Sequence, residues 1–306
     1  MEAKGTERRR VFVTGATGFV GRAVVHALCA HGHSVRCLVR RGSEEDLRGF
    51  EAIERVEGDV LARRGLEEGI AGCDIVIHLV GIIREHPAAG VTFERLHTQA
   101  TVKVLEAATA AGARRFIHMS ALGTRPGARA RYHATKWAAE EAVRASGLLW
   151  TIFRPSIIYG RGDGFVSLLA RMIRRLPVVP VVGSGRQRLQ PVAVEHVAEA
   201  FARSVTLPAA VKQTYEAGGP DAVTTLELMD RVADALGRRH PVKAHVPLRL
   251  VRGSARLLQG LPGFPLTTDQ LLMLEEDNTC DPSAFYTAFE LTPLPLATGL
   301  QRMLAP

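Results

Sequence analysis

The sequence predicts an α/β protein built on a doubly wound parallel sheet with a smaller C-terminal lobe. Three observations carry that reading. Short apolar runs alternate with amphipathic helical stretches as far as about Tyr159. A glycine-rich turn stands between the first apolar run and the first helix. Beyond Tyr159 the alternation loosens into Gly- and Pro-rich connections.

The elements follow in order. "VFVTG" reads as a buried strand, and "FVGRAVVHALCAHG" as an amphipathic helix closed by Gly32. "HSVRCLVR", the short "AIERVEGD" and the fully apolar "CDIVIHLVG" read as the next three strands. "VTFERLHTQATVKVLEAATAAG" reads as one long helix and "ARRFIHMS" as the fifth strand. The helix "YHATKWAAEEAVRASG" and the strand "LLWTIFRP" continue the alternation. "GRGDGF" and "LPVVPVVGSGRQRLQPV" read as connections, after which the helix "VEHVAEAFARSV" and the strand "TYEAGG" return to the sheet. From "TTLELMDRVADALG" onward, helices alternate with Pro-containing loops. Residues 1–190 are thus expected to form the nucleotide-binding domain, with 195–219 returning to it. Residues 220–306, with part of 160–192, are expected to form a smaller lobe for substrate or partner.

Composition narrows the function classes. A chain of 306 residues, 46% hydrophobic and 23% charged, has ample material for a core. Its net charge of +8 comes almost wholly from arginine, 34 against five lysines, scattered along the chain, so no nucleic-acid partner is expected. The four cysteines show no CxxC or CxxH spacing, which points to neither a metal site nor a disulfide framework. "MEAKGTERRR" precedes no apolar stretch of signal-peptide type, and no run approaches 18 apolar residues, so a cytoplasmic protein without a transmembrane segment is expected. One basic amphipathic stretch, "PLRLVRGSARLLQGLPGF" at 247–264, suits docking on a partner or peripherally on an anionic membrane surface, as well as packing on the small lobe.

The chemistry-bearing motifs sit at the ends of the predicted strands. Gly15, Gly18 and Gly21 form GxxGxxG between strand and helix, where glycines permit a tight turn, and the helix start offers amides and a positive dipole to a pyrophosphate. The second strand ends in Arg40 and Arg41 where an acidic residue would meet the ribose of NAD, which favours NADP(H) over NAD(H). Tyr132 and Lys136 lie four apart, on one helix face, where the ammonium is expected to bias the phenol toward phenolate. Ser120 lies one residue before the position where a hydroxyl would help, and Ala121 occupies that position. His97, on the long helix, suits either a role at the cofactor end or simple packing; His78, His118, His133 and His196 show no metal spacing.

With the TGATGFVG turn, Asp59 after the third strand, "HLVG" after the fourth and YHATK after the fifth, the chain resembles the extended short-chain dehydrogenase/reductase superfamily over nearly its whole length. Its "HLVGIIRE", "FERLHTQAT", "HMSALG", "RPSIIYGRGD" and "LTTDQLLMLEEDN" are similar to the atypical, epimerase/dehydratase-like branch that includes the NADPH-binding accessory subunit of respiratory complex I. The resemblance implies a Rossmann-type sheet. It implies that Gly15, Thr17, Gly18, Phe19 and Val20 wrap a pyrophosphate, that Arg40 meets a 2′-phosphate, and that Asp59 and Val60 contact adenine. It further implies that Leu79, Val80 and Gly81 line the ribose side, while Tyr132, Lys136, Pro155, Ile157 and Ile158 hold the nicotinamide end. Against the superfamily pattern, Ala121 replaces the usual catalytic serine or threonine and His97 the usual asparagine. The expected function is a slow NADP(H)-dependent oxidoreductase on a small carbonyl compound, with epimerase or dehydratase chemistry less favoured. The alternative is a non-catalytic, cofactor-bound accessory or assembly factor of a respiratory-type membrane complex.

Overall fold

A computed structural model describes residues 8–258 and 266–305. The first half runs β1 (Arg10–Thr14), α1 (Phe19–Ala30), β2 (Ser34–Val39), β3 (Glu54–Glu57), α2 (Arg63–Ile70), β4 (Ile75–His78), α3 (Ala100–Ala110), β5 (Arg115–Met119), α4 (Arg131–Ala145) and β6 (Leu149–Pro155). There follow β7 (Ile158–Tyr159), α5 (Val166–Arg175), β8 (Val178–Val182), β9 (Arg188–Leu189), β10 (Val192–Ala193), α6 (Val194–Ser204) and β11 (Gln213–Ala217). The remainder comprises β12 (Val223–Thr224), α7 (Thr225–Ala235), β13 (Val242–Val246), α8 (Leu248–Leu258), α9 (Thr268–Leu274), α10 (Ser283–Ala288) and α11 (Leu296–Leu304).

Seven strands form one parallel sheet in the order β11-β6-β5-β4-β1-β2-β3. The winding reverses between β1 and β4, and a crevice at the strands' carboxyl ends opens at such a switch point. Residues 11–14 of β1, all of β4, and residues 115–118 of β5 are buried, as strands covered on both faces must be. Neighbouring residues divide between the two faces: Val11 and Val13 pack with Val24, Phe201 and Phe153, while Phe12 packs with Leu66, Val104 and Phe116. A third cluster, with Tyr159, Val181, Leu228 and Leu300, is the core of the part of the chain built from β7 onward.

The structure corrects the sequence reading at several elements. α2 was not anticipated; its eight residues include two glycines, too few apolar positions for a helical period to stand out. The stretch read as a long helix before the fifth strand opens with π-helical turns over Glu94–Gln99 before α3 begins. Most consequentially, "VVPVV" is the strand β8 rather than a connection, preceded by the helix α5 and paired in parallel with β13. Its one proline, Pro180, does not prevent pairing because β8 has one strand neighbour only. Residues 259–264 of the basic stretch at 247–264 lie outside the described residues.

Candidate functional site

The glycine turn is shaped by steric need. Gly15 has φ +78°, and a Cβ on it would lie 3.0 Å from the carbonyl carbon of Leu79 and 3.1 Å from the nitrogen of Val80. A Cβ on Gly21 would stand 2.1 Å from the Gly15 oxygen, so only glycine lets α1 start this close to β1. Helix α1 begins after Gly18 with no side-chain cap and no acidic residue in its first turn, which leaves the positive end of its dipole without a protein anion. Thr17, Phe19 and Val20 are partly exposed around this turn.

The remaining nucleotide-side residues surround the same sheet edge. Arg40 and Arg41 follow β2 directly and are exposed, the Arg40 carbonyl accepting from the Ser43 amide at 2.9 Å. Asp59 already has a task, since its carboxylate accepts from the Leu61 amide at 2.7 Å and so holds the turn that buries Val60. Leu79 donates its amide to the Thr14 carbonyl at 3.1 Å, which seats the start of the post-β4 loop against β1. Next to it, a Cβ on Gly81 would meet Lys136 Nζ at 3.0 Å and His97 Nε2 at 3.8 Å. The glycine turn, Leu79, Val80, Gly81 and Lys136 therefore form one continuous strip. Pro155 is tied to the end of β5, its carbonyl accepting from the Leu122 amide at 2.8 Å, while Ile157 and Ile158 bond to the strand at Val192 and lie farther round the rim.

Lys136 is 2% exposed and donates from Nζ to the Met119 carbonyl at 3.0 Å. Burial pushes its ammonium down to about 8, with Glu140 pulling the other way. Tyr132 shares its helix face, but its ring stands edge-on to His97 and Phe93, at centroid distances of 5.2 and 5.8 Å. Here the expectation from spacing is reversed. Burial first, and then the Asp269 carboxylate, push the Tyr132 hydroxyl up to about 12 rather than down. Ser120 is buried with its hydroxyl 3.4 Å from that of Thr124, and Ala121 is buried beside it.

His97 is a strut. Its Nδ1 is hydrogen-bonded to the Thr135 hydroxyl at 2.9 Å, and that hydroxyl lies 2.9 Å from the Arg131 carbonyl one turn back on α4. On its other side Nε2 lies 3.1 Å from the Ile82 amide nitrogen and 3.0 Å from the Ile82 carbonyl oxygen, so the ring bridges α4 and the loop after β4. Burial, with the Lys136 charge adding to it, holds the ring neutral, down to about 2. Under this layer His78 and His118 stack as cross-strand neighbours, 5.6 Å apart and fully buried. His78 Nδ1 meets the Thr14 hydroxyl at 2.7 Å, whereas neither ring nitrogen of His118 has a partner among the described residues.

Two residues of the "LTTDQLLMLEEDN" stretch had drawn no individual attention in the sequence. Asp269 accepts from the backbone amides of Arg131 at 2.6 Å and Tyr132 at 3.1 Å, capping α4 from α9. Asn278 donates to the Leu122 carbonyl at 3.3 Å and accepts from the Ser156 hydroxyl at 2.5 Å, joining the loops after β5 and β6. The one sequence signal was that α4 opens at Ala130, a residue that cannot cap a helix.

A family model described as the NAD dependent epimerase/dehydratase family matches residues 11–218. The chain is 38% identical over 195 residues to a ceramide reductase of Caulobacter vibrioides, an alignment covering 64% of this chain and 59% of that protein. It is 30% identical over 279 residues to the mitochondrial NADH dehydrogenase [ubiquinone] 1 alpha subcomplex subunit 9 of Arabidopsis thaliana, covering 87% of this chain and 68% of the subunit. Among solved structures, a dTDP-glucose 4,6-dehydratase of Streptomyces venezuelae with NAD bound superposes with a TM-score of 0.74 at 21% identity, over 96% of this chain and 95% of that one. At that identity the likeness concerns the fold.

Proposed function

The chain belongs to the NAD dependent epimerase/dehydratase family, and on that premise we propose that it is a nicotinamide-nucleotide-dependent reductase of a carbonyl group, with NADP(H) preferred. The observation that carries this reading is the continuous strip from the glycine turn through Leu79, Val80 and Gly81 to Lys136 and Tyr132. The strip fits a dinucleotide: the glycines leave room where side chains would clash, and the uncapped start of α1 faces that room with unpaired amides. When bound, the nucleotide supplies the hydride. Lys136 holds a positive charge at the far end of the strip, and Tyr132 holds a proton at its hydroxyl for a substrate oxygen. Ala121 provides no hydroxyl, which makes turnover slow; one such donor is worth roughly 10²- to 10³-fold in rate. The similarity to a ceramide reductase favours reduction over epimerisation and adds ceramide-like lipids to the small carbonyl compounds worth testing.

Arg40, exposed at the end of β2, carries the nucleotide preference. Charge-assisted bonds to a 2′-phosphate are each worth about 1.5–3 kcal/mol, so NADPH is expected to bind at least ~10-fold more tightly than NADH. Calorimetry with both nucleotides checks this. In Arg40→Ala the preference should collapse toward parity, and equal affinities in the unaltered protein overturn it.

A second reading has its own support. The complex I subunit aligns over 87% of this chain, and a Tyr132 hydroxyl pushed up to about 12 is poorly poised for proton transfer at neutral pH. In that reading the protein is a non-catalytic, cofactor-bound module of a membrane complex or of its assembly. NADPH oxidation with a panel of carbonyls, ceramide-like lipids and quinones separates the two: tight NADPH binding with no substrate reduced favours the module.

A further inference from the structure

The basic charge is not spread evenly in space. Residues 164–194 carry five arginines and no acid, and residues 235–268 carry five arginines, one lysine and no acid. The chain's +8 thus divides into +11 on these two stretches and −3 on all the rest. Sixty-odd positions separate β8 from β13 in sequence, yet these strands, one from each stretch, pair with each other. The fold therefore brings arginines of both stretches together at this pair of strands, while Arg252 is paired with Glu275 and Arg186 lies beside the acids of 275–277.

The ribbon they form has two unlike faces. Val179 and Val181 point into the core, and Lys243, opposite Val179, reaches Asp230 of α7 at 2.6 Å. The outer face pairs Val178 with Val242 and Pro180 with Ala244, so it is aliphatic throughout. Its first two pairs are exposed, Val178 at 43% and Val242 at 66%, while the last pair, Val182 and Val246, is half-buried; Leu250 on α8, past that end, is 67% exposed. Isolated exposed aliphatics are ordinary, but a contiguous set marks an interaction surface. Around it stand Arg174, Arg175, Arg238, Arg239 and Arg249, all exposed. Arg238 donates to the Arg174 carbonyl at 3.0 Å, which places the α7–β13 turn against the end of α5. Arg175, Arg239 and Arg249 have no carboxylate partner among the described residues; of the nearby acids, Asp230 is engaged by Lys243, Asp234 by His240 and Glu275 by Arg252 of α8.

We infer that the outer face of the β8/β13 ribbon, with its arginine rim, docks on an anionic lipid bilayer. An aliphatic centre enters the acyl boundary while surrounding guanidinium groups meet headgroup phosphates, the chemistry such a surface offers and a bulk protein surface does not. A nucleic acid fits less well, because the face has no aromatic side chain on which bases could stack. The inference does not rest on turnover, so it stands or falls separately from the reductase reading.

The test sediments the full chain with vesicles of phosphatidylcholine alone or mixed with phosphatidylglycerol, at low and high salt. Partition should require the anionic lipid and fall as salt screens it. Each arginine removed from the rim should weaken partition roughly fivefold, so Arg238→Gln/Arg239→Gln should cost about 25-fold. Val178→Ser/Val242→Ser should weaken it at unchanged charge. Near-ultraviolet circular dichroism and NADPH affinity, unchanged in all variants, show that the fold is intact. The inference is overturned by equal partition to neutral vesicles, by no partition at all, or by wild-type partition of the arginine variant. It is likewise overturned if light scattering finds a dimer that Val242→Ser dissociates, or if duplex DNA binds in place of the vesicles.

Discussion

At the scale of single residues, the Tyr132 and Lys136 pair is where sequence and structure agree on position and differ on electrostatics. Four-residue spacing is enough to place both on one helix face, so the pair was legible. Their environment was not, because it depends on residues far away in sequence. The Lys136 ammonium is hydrogen-bonded to the Met119 carbonyl, while burial of the phenol, and then the charge of Asp269 at the Tyr132 backbone amide, oppose its ionisation. If Tyr132 is nonetheless the proton donor, Tyr132→Phe should lower turnover by roughly 10²- to 10⁴-fold. NADPH affinity should stay within a few-fold, since the lost hydroxyl binds no phosphate. Lys136→Ala should weaken both, because the ammonium sits against Gly81 on the nucleotide strip. Steady-state kinetics beside nucleotide titration separate these cases, and full activity in Tyr132→Phe would remove the residue from the chemistry.

At the scale of elements, α4 shows how a helix carrying site residues is held rigid. Its start is capped by Asp269 of α9, and one turn beyond Lys136 the fully buried Glu140 accepts from Arg154 Nε at 2.8 Å and from Arg144 at 2.6 Å. The guanidinium of Arg154 stacks over Trp137 at 5.8 Å, so β6 grips the helix at its middle. Removing the cap should be felt at both the helix and the phenol. Asp269→Ala should cost about 1–2 kcal/mol, seen as a fall in Tm of roughly 2–4 °C per kcal/mol. The basic limb of the turnover pH profile should move to lower pH, because the carboxylate that raises Tyr132 is gone. Asp269→Asn should move the profile in the same direction, since it too lacks the charge, while losing less stability. An unaltered Tm and profile in Asp269→Ala would mean that α4 is held without it. Elements that announce themselves by local pattern, such as the apolar runs at the centres of β1 and β4, were readable. β8 and β13 were not, because each makes sense as a strand only beside the other, and the π-helical turns at Glu94–Gln99 leave no mark on apolar spacing.

At the scale of the whole molecule, the sheet order follows from alternating patterns, whereas the polar layer beneath the site follows from which strands become neighbours. His78 and His118 are unremarkable in sequence, yet the parallel pairing of β4 and β5 stacks them, and the π-helical segment brings His97 to the same side of Lys136. All three are held neutral: burial, with Lys136 adding repulsion, brings His78 to about 3 and His97 to about 2, and pushes His118 well below its ordinary value. An unfolded chain binds protons at these rings near pH 6.5, whereas the folded chain resists down to about pH 3. Between those limits the unfolded state holds more protons, so stability rises with pH there and is lost as pH falls. The chain's net charge of +8 adds self-repulsion in the same direction. Urea unfolding followed from pH 7 toward pH 4 should therefore show steepening loss of stability, with a slope near one proton for each buried ring. His118→Phe should flatten that slope by about one proton, and because neither nitrogen of His118 is hydrogen-bonded within the described residues, it should leave stability at pH 7 equal or higher. A slope unchanged in His118→Phe would show that the ring is already charged in the folded protein, with Lys136 neutral beside it.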